Sequence, residues 1–170
     1  TAAAFTIEQL YPTYCLLKKY ESSNPELSSL KTRLEVIFKK GGEGILSGGF
    51  HTPNHRWAIA AALSYLYAEF KDERYLEEAR RYLAEGIDIH EDGSFSEKSI
   101  GNYDAVVDMA LLALAENFNM RELIGYVERN LRLVSRMIQP DGTLYSFSSF
   151  RQDSRMSINF NKYWRVFKKM

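Results

Sequence analysis

The 170 residues fit one domain by length, and 45% hydrophobic content with 14% aromatics supplies enough apolar side chains for a real core, which excludes disorder for most of the chain. Lys plus Arg equals Asp plus Glu at 22 each, so net charge draws the chain neither to nucleic acid nor to an anionic membrane. The single cysteine, Cys15, excludes an internal disulfide framework, leaves the redox compartment open and is expected in the core.

Elements follow in chain order from hydrophobic spacing near 3.6. Residues 5–20 are rich in aromatic and aliphatic side chains and form a first helix. A second begins at Asn24-Pro25, a capping residue followed by proline at the first helical position, and carries Leu27, Leu30, Leu34 and Ile37 between charges. Residues 57–70 (WAIAAALSYLYAEF) are apolar almost all round, as a helix buried on every side requires. Residues 74–87 keep Tyr75, Leu76, Ala79, Tyr82 and Leu83 on one face and turn Glu77, Glu78, Arg80, Arg81 and Glu85 outward. Residues 105–115 (AVVDMALLALA) are again apolar all round, and 121–138 return to the one-sided pattern. Three pairs of inner and outer helices result, at about 5–40, 54–87 and 103–138. No apolar run reaches the ~20 residues of a membrane span. Thr1-Ala2-Ala3-Ala4 lacks the basic and apolar regions of a leader, so a signal peptide is either absent or removed. Periplasmic, secreted and cytoplasmic locations all stay open.

Glycine turns separate the pairs: Leu46-Ser-Gly-Gly-Phe50, Glu91-Asp-Gly-Ser-Phe95 and Pro140-Asp-Gly-Thr-Leu144, with Gly49, Gly93 and Gly142 spaced 44 and 49 residues apart. A period in that range marks helical-hairpin repeats, each burying its inner face by stacking on its neighbours. Such repeats close into an α/α toroid or stack as an open solenoid. Three pairs fall short of a six-hairpin ring, so the fold expected for residues 1–148 is all-α, hairpin repeats forming part of an α/α toroid. The incomplete ring is either a fragment of a larger chain or a half-ring completed by the basic, aromatic segment 149–170, which reads as the start of a further hairpin or a truncated continuation.

The repeat places the segments after the three turns at one end of the array. Those segments hold His51, Asn54, His55 and Arg56; Glu97, Lys98, Asn102, Tyr103 and Asp104; and Arg151, Gln152 and Asp153. Thr52-Pro-Asn-His-Arg-Trp57, Gly86-Ile-Asp-Ile-His-Glu-Asp-Gly93, Gly101-Asn-Tyr-Asp104 and Arg151-Gln-Asp153 resemble heparinase II/III-like proteins, over about residues 48–155. That group is related to toroid-type alginate lyases, in which an Asn-His pair and a Tyr on inner-helix ends cleave uronic-acid polysaccharides by β-elimination. By motif position, the resemblance implies that Asn54 and His55 match the pair and Tyr103 the tyrosine, with no cofactor and an anionic polysaccharide as partner. Full-length relatives carry a larger toroid and a β-sheet domain that 170 residues cannot hold.

The chemistry suits those residue types. Removing the proton α to a uronate carboxylate builds charge that Asn54, His55 or an arginine must stabilise. A base takes the C5 proton and an acid protonates the leaving oxygen, tasks for His and Tyr. In this scheme Tyr103 is the acid and can double as base, while His55 is the base for substrates with the proton on the opposite face. Arg56, Trp57, Asn102 and Arg151 are the residues expected to bind substrate, the arginines through bidentate contacts to anionic groups.

Blander readings stand beside these. Thr52-Pro53 is a helix start, so Asn54 and His55 can be first-turn residues only, and Asn102 can be a cap. His51 and His55 are spaced i, i+4, but Pro53 intervenes and the zincin Glu is missing, so no metal site is expected. Asp88, His90 and Asp92 imitate an EF-hand start, yet position twelve is Ser99 instead of Glu. Two other functions remain: a non-catalytic helical-repeat module binding glycan or protein, and a glycoside hydrolase using Glu91, Asp92, Glu97 and Asp104.

Overall fold

The computed structural model describes residues 2–48 and 52–170, with the backbone alone at positions 53 and 54. The chain is mostly helical, 67% of it, with one two-stranded sheet among the described residues. Its helices are α1 (Ala2–Tyr20), α2 (Pro25–Leu46), α3 (Pro53–Phe70), α4 (Glu73–Ala84), α5 (Tyr103–Phe118), α6 (Ile124–Ser135) and α7 (Asn161–Phe167). Strands β1 (Thr143–Tyr145) and β2 (Ser157–Asn159) pair antiparallel, Leu144 opposite Ile158. No helix is long and apolar enough to cross a membrane among the described residues.

Local signals set the helix ends. The Asn24 side chain accepts from the Glu26 N–H at 2.8 Å with Pro25 behind it, and Asp72 accepts from the Arg74 N–H at 3.0 Å. Helices α3 and α5 both end on a left-handed residue, Lys71 and Asn119, whose N–H closes back on the last turn.

Each even-numbered helix from α2 to α6 runs back along the one before it. Ala3 and Ile7 meet Gly41 while Tyr14 meets Phe38, so α1 and α2 are antiparallel. Tyr67 reaches Glu73 at one end of the second pair, and Arg56 reaches Glu85 at the other. Asn130 of α6 returns to Asp104 at the start of α5.

The odd-numbered helices are parallel. Phe5 lies against His55, Tyr11 stacks on Tyr65 at 4.4 Å between centroids, and Lys18 reaches Glu69. Asn117 donates to Ser64 and Phe118 lies against Tyr67, which joins the C-terminal ends of α3 and α5. Helix α3, between α1 and α5 and backed by α4, buries every residue from 57 to 66, which accounts for its all-round apolar sequence. Each large apolar side chain so enclosed contributes roughly 1.5–3 kcal/mol relative to exposure.

Two expectations are corrected. Cys15 is exposed, because its face of α1 borders an open cavity that Tyr11 and Tyr65 also line. On α2 the buried positions are Leu34, Phe38, Gly42 and Ile45, whereas Leu30 and Ile37 are exposed. The stripe follows Gly42, where an added Cβ would lie 2.5 Å from the Tyr75 hydroxyl: Tyr75 packs through the gap that glycine leaves.

The turns of the second and third pairs are built alike. In one, Asp92 accepts from the N–H and hydroxyl of Ser94, His90 and Ser94 pair through their backbones, and Ile89 bridges Phe95. In the other, Asp141 accepts from the N–H and hydroxyl of Thr143, Gln139 pairs with Thr143, and Ile138 bridges Leu144. Gly93 and Gly142 take positive φ at 94° and 78°. The first turn's Gly49, Phe50 and His51 lie outside the described residues. Segment 149–170 folds back on the third pair, with β2 on β1 and α7 on α5, where Tyr163 and Val166 are buried.

Candidate functional site

Because α1, α3 and α5 run parallel, their first turns share one end of the bundle. His55 and Tyr103 are therefore at the same end, each half-buried. His55 sits one turn into α3, and its ring meets Phe5 edge-on at 5.8 Å between centroids. Its Nδ1 is buried and has no hydrogen-bond partner, so the ring is oriented by packing and not by a fixed acceptor. Asn54 precedes it on the same turn; its side chain is outside what is described.

Tyr103 is the first residue of α5, and the local network that holds it comes from two turns. Its N–H donates to the Ser99 hydroxyl at 3.2 Å, Ser99 donates to Asp153 at 2.9 Å, and Asp153 also accepts from the Gly101 N–H and the Ser149 hydroxyl. Asp153 is thus a buried carboxylate fixing the entry to α5 through three donors. The close packing explains Gly101: a Cβ there would meet Asp153 and Ile158.

The Arg151 guanidinium lies 5.2 Å from the Tyr103 ring centroid. A second anchor holds it, since Arg151 pairs at 3.0 Å with Glu97, whose side chain is 2% exposed. A cation held over the ring attracts an incoming anion to the same place. Among the described residues the Tyr103 hydroxyl has no hydrogen-bond partner. Asn102 accepts from Lys162 of α7.

The other two expected binding residues are spent inside the fold. Arg56 pairs at 2.7 Å with both Glu85 and Asp88 and donates to the Gly86 carbonyl, while its guanidinium lies 4.4 Å from the Trp57 ring centroid. Trp57 is wholly buried and donates its Nε1–H to Asp88 at 2.8 Å. Arg56 and Trp57 therefore tie α3 to the loop after α4 and present no surface to a sugar. This corrects their expected role: their charge and ring are consumed by Asp88.

The turn carboxylates are likewise occupied. Asp92 is held by Ser94, which keeps its carboxyl below the usual range. Asp104 is fully buried, and burial pushes its carboxyl up to about 7, while the Ser99 N–H and Asn130 pull it back. Asp108, one turn on, is also buried, with both oxygens unpartnered and its carboxyl pushed well up by burial and then by Asp104. No cluster of three or more metal-binding side chains exists among the described residues.

From the sequence, Glu97 is one of the carboxylates of the hydrolase alternative and Asp153 is a polar residue near a turn with no role; neither is expected as an anchor. Their signal was spacing: Asp153 follows Gly142, and Glu97 follows Gly93, so the repeat brings both to one place. Asp104 and Asp108 were visible as an i, i+4 acidic pair in an apolar helix. The chain matches no protein-family model, no curated protein and no solved structure.

Proposed function

We propose that this chain is the toroid portion of a polysaccharide lyase that cleaves uronic-acid-containing polysaccharide by β-elimination. The observation that carries the reading is the shared end of α3 and α5, with His55 on one and Tyr103 under a buried-carboxylate-anchored Arg151 on the other. The toroid is supported by three antiparallel pairs with parallel inner helices and by two turns of identical construction.

His55 or the Tyr103 phenolate removes the C5 proton, Asn54 and Arg151 neutralise the charge that grows on the uronate carboxylate, and Tyr103 returns a proton to the glycosidic oxygen as C4=C5 forms. Asn102, bonded to Lys162, lies beside Tyr103 and adds a polar contact for the sugar.

The test is ultraviolet absorbance of the unsaturated uronate product with a panel of acidic polysaccharides. Tyr103→Phe and His55→Ala each lower the rate roughly 100-fold or more, the usual contribution of a positioned acid or base. Full rate in both variants refutes the roles. The second reading, a glycan-binding helical module without catalysis, is favoured by the open cavity of 620 Å³ that Glu8, Tyr11, Tyr65, Asn117 and Arg165 line, and predicts binding with no product.

A further inference from the structure

The neutral net charge of the chain hides an uneven distribution. Residues 151–170 hold six of the 22 basic side chains and one of the 22 acidic ones, Asp153, which is buried and bound to Ser99, Gly101 and Ser149. This stretch is therefore positive at its surface while the rest of the chain is net negative.

Helix α7 and the turn that continues it, closed by the N–H groups of Lys168 and Met170 on the Trp164 and Val166 carbonyls, divide into three sectors. Tyr163 and Val166 are buried and hold the helix to α5. Lys162, Arg165 and Lys169, at i, i+3 and i+7, line the cavities of 220 and 620 Å³ beside α1 and α5. Phe160, Trp164 and Phe167, at i, i+4 and i+7, make an aromatic strip on the other side, with the Phe160 ring 6.4 Å from that of Trp164 and 5.9 Å from that of Phe167. Trp164 is 60% exposed and Phe167 42%, a large apolar area left in water. Lys168 follows Trp164 by four residues, so it stands on the exposed crest between the strip and Arg165.

Charge and shape select what covers this strip. Arg165 and Lys168 form no ion pair among the described residues, so their charge is open to an anion. Trp164 and Phe167 line neither cavity and project from a convex helix surface, whereas the aromatic anchors of a folded partner sit in matching pockets. A nucleic-acid strand stacks its bases on successive open ring faces, but these rings meet at 78° and 37°. A fluid interface needs no matching pocket: Trp and Phe enter the headgroup layer while long cationic side chains beside them reach the phosphates. We infer that α7 is an interfacial helix that seats the protein on an anionic phospholipid surface, with Trp164 and Phe167 in the headgroup layer and Arg165 and Lys168 on lipid phosphates. The inference is independent of the lyase reading.

Vesicle cosedimentation and tryptophan emission test it, with phosphatidylcholine alone and with phosphatidylcholine mixed with phosphatidylglycerol. The chain has two tryptophans, and Trp57 is wholly buried on Asp88, so a change in emission reads Trp164. The protein sediments with the anionic vesicles and not with the neutral ones, its emission shifts to the blue, brominated lipid quenches it, and added salt releases it. Arg165→Gln with Lys168→Gln weakens vesicle binding at least about tenfold, as loss of two cations at an anionic surface requires. Trp164→Ser with Phe167→Ser, read by cosedimentation, weakens it about as much. All four positions are exposed, and unchanged near-ultraviolet dichroism of Trp57 in the cation variant shows the fold intact. Arg81→Gln with Arg132→Gln removes equal charge from the outer helices and leaves binding unchanged. No sedimentation with anionic vesicles, binding without a Trp164 shift, or equal loss in the outer-helix variant overturns the proposal. A blue shift that grows with protein concentration in the absence of lipid assigns the strip to a second copy and also overturns it, as does capture of a single-stranded oligonucleotide by a protein that ignores the vesicles.

Discussion

Replacing Asp104 by Asn makes folding stability depend less on pH, and the structure fixes both sign and size. Asp104 is wholly buried beside Asp108, and its carboxyl ionises only near pH 7 in the folded chain, against 3.8 for an unburied aspartate. The folded pKa is raised, so the carboxyl favours folding most below about pH 4, and that advantage is lost as pH climbs to 7. At 1.36 kcal/mol per unit the loss totals about 4 kcal/mol, a large share of a domain's 5–15 kcal/mol. An Asn retains an acceptor for the Ser99 N–H and carries no charge. Urea unfolding of both proteins at several pH values between 4 and 8 reads the effect, because titrations that do not feel the Asp104 charge cancel in the difference, while Asp108, which does feel it, is protonated over much of the same range. The Asp104→Asn variant gains on the wild type by about 4 kcal/mol between pH 4 and 8. A difference that stays flat across that range refutes the assignment of a buried, proton-bearing carboxyl.

Gly93→Ala meets both a positive φ of 94° and the Arg129 carbonyl oxygen at 2.5 Å, so it costs roughly 2–4 kcal/mol and lowers the midpoint of a thermal melt, whereas Gly142→Ala, strained in φ but in open space, costs only about 1 kcal/mol. Asp88→Asn removes the charge that pairs Arg56 and weakens the acceptor of Trp57, costing roughly 3 kcal/mol, read by denaturant unfolding and by the near-ultraviolet dichroism of Trp57; substrate affinity of the surviving folded protein stays as it was.

Much of the architecture was legible because it is written in one-dimensional patterns. All-round apolar sequence marked α3 and α5 as inner helices, one-sided sequence marked α4 and α6 as outer ones, and Asn24-Pro25 marked the start of α2. Where packing replaced pattern, reading failed: Gly42 shifted the buried stripe of α2 because its missing side chain admits Tyr75, a partner 33 positions away. Arg56 and Trp57 looked like binding residues because an arginine beside an aromatic is common to both glycan sites and buried ion-pair clusters. Only the position of Asp88 distinguishes these cases.

The sequence by itself determined which segments are helices, which of them must be enclosed, and where the chain turns, since each depends on neighbours within a few residues. Tertiary structure alone decided which charges meet. Arg151 finds Glu97 and Tyr103, Asp153 finds Ser99, and α7 brings Lys162, Arg165 and Lys169 to the inner face of α1 and α5. Such pairings depend on distances through space between residues some 50 or more positions apart in several cases, and the local spacing of residues carries no record of them.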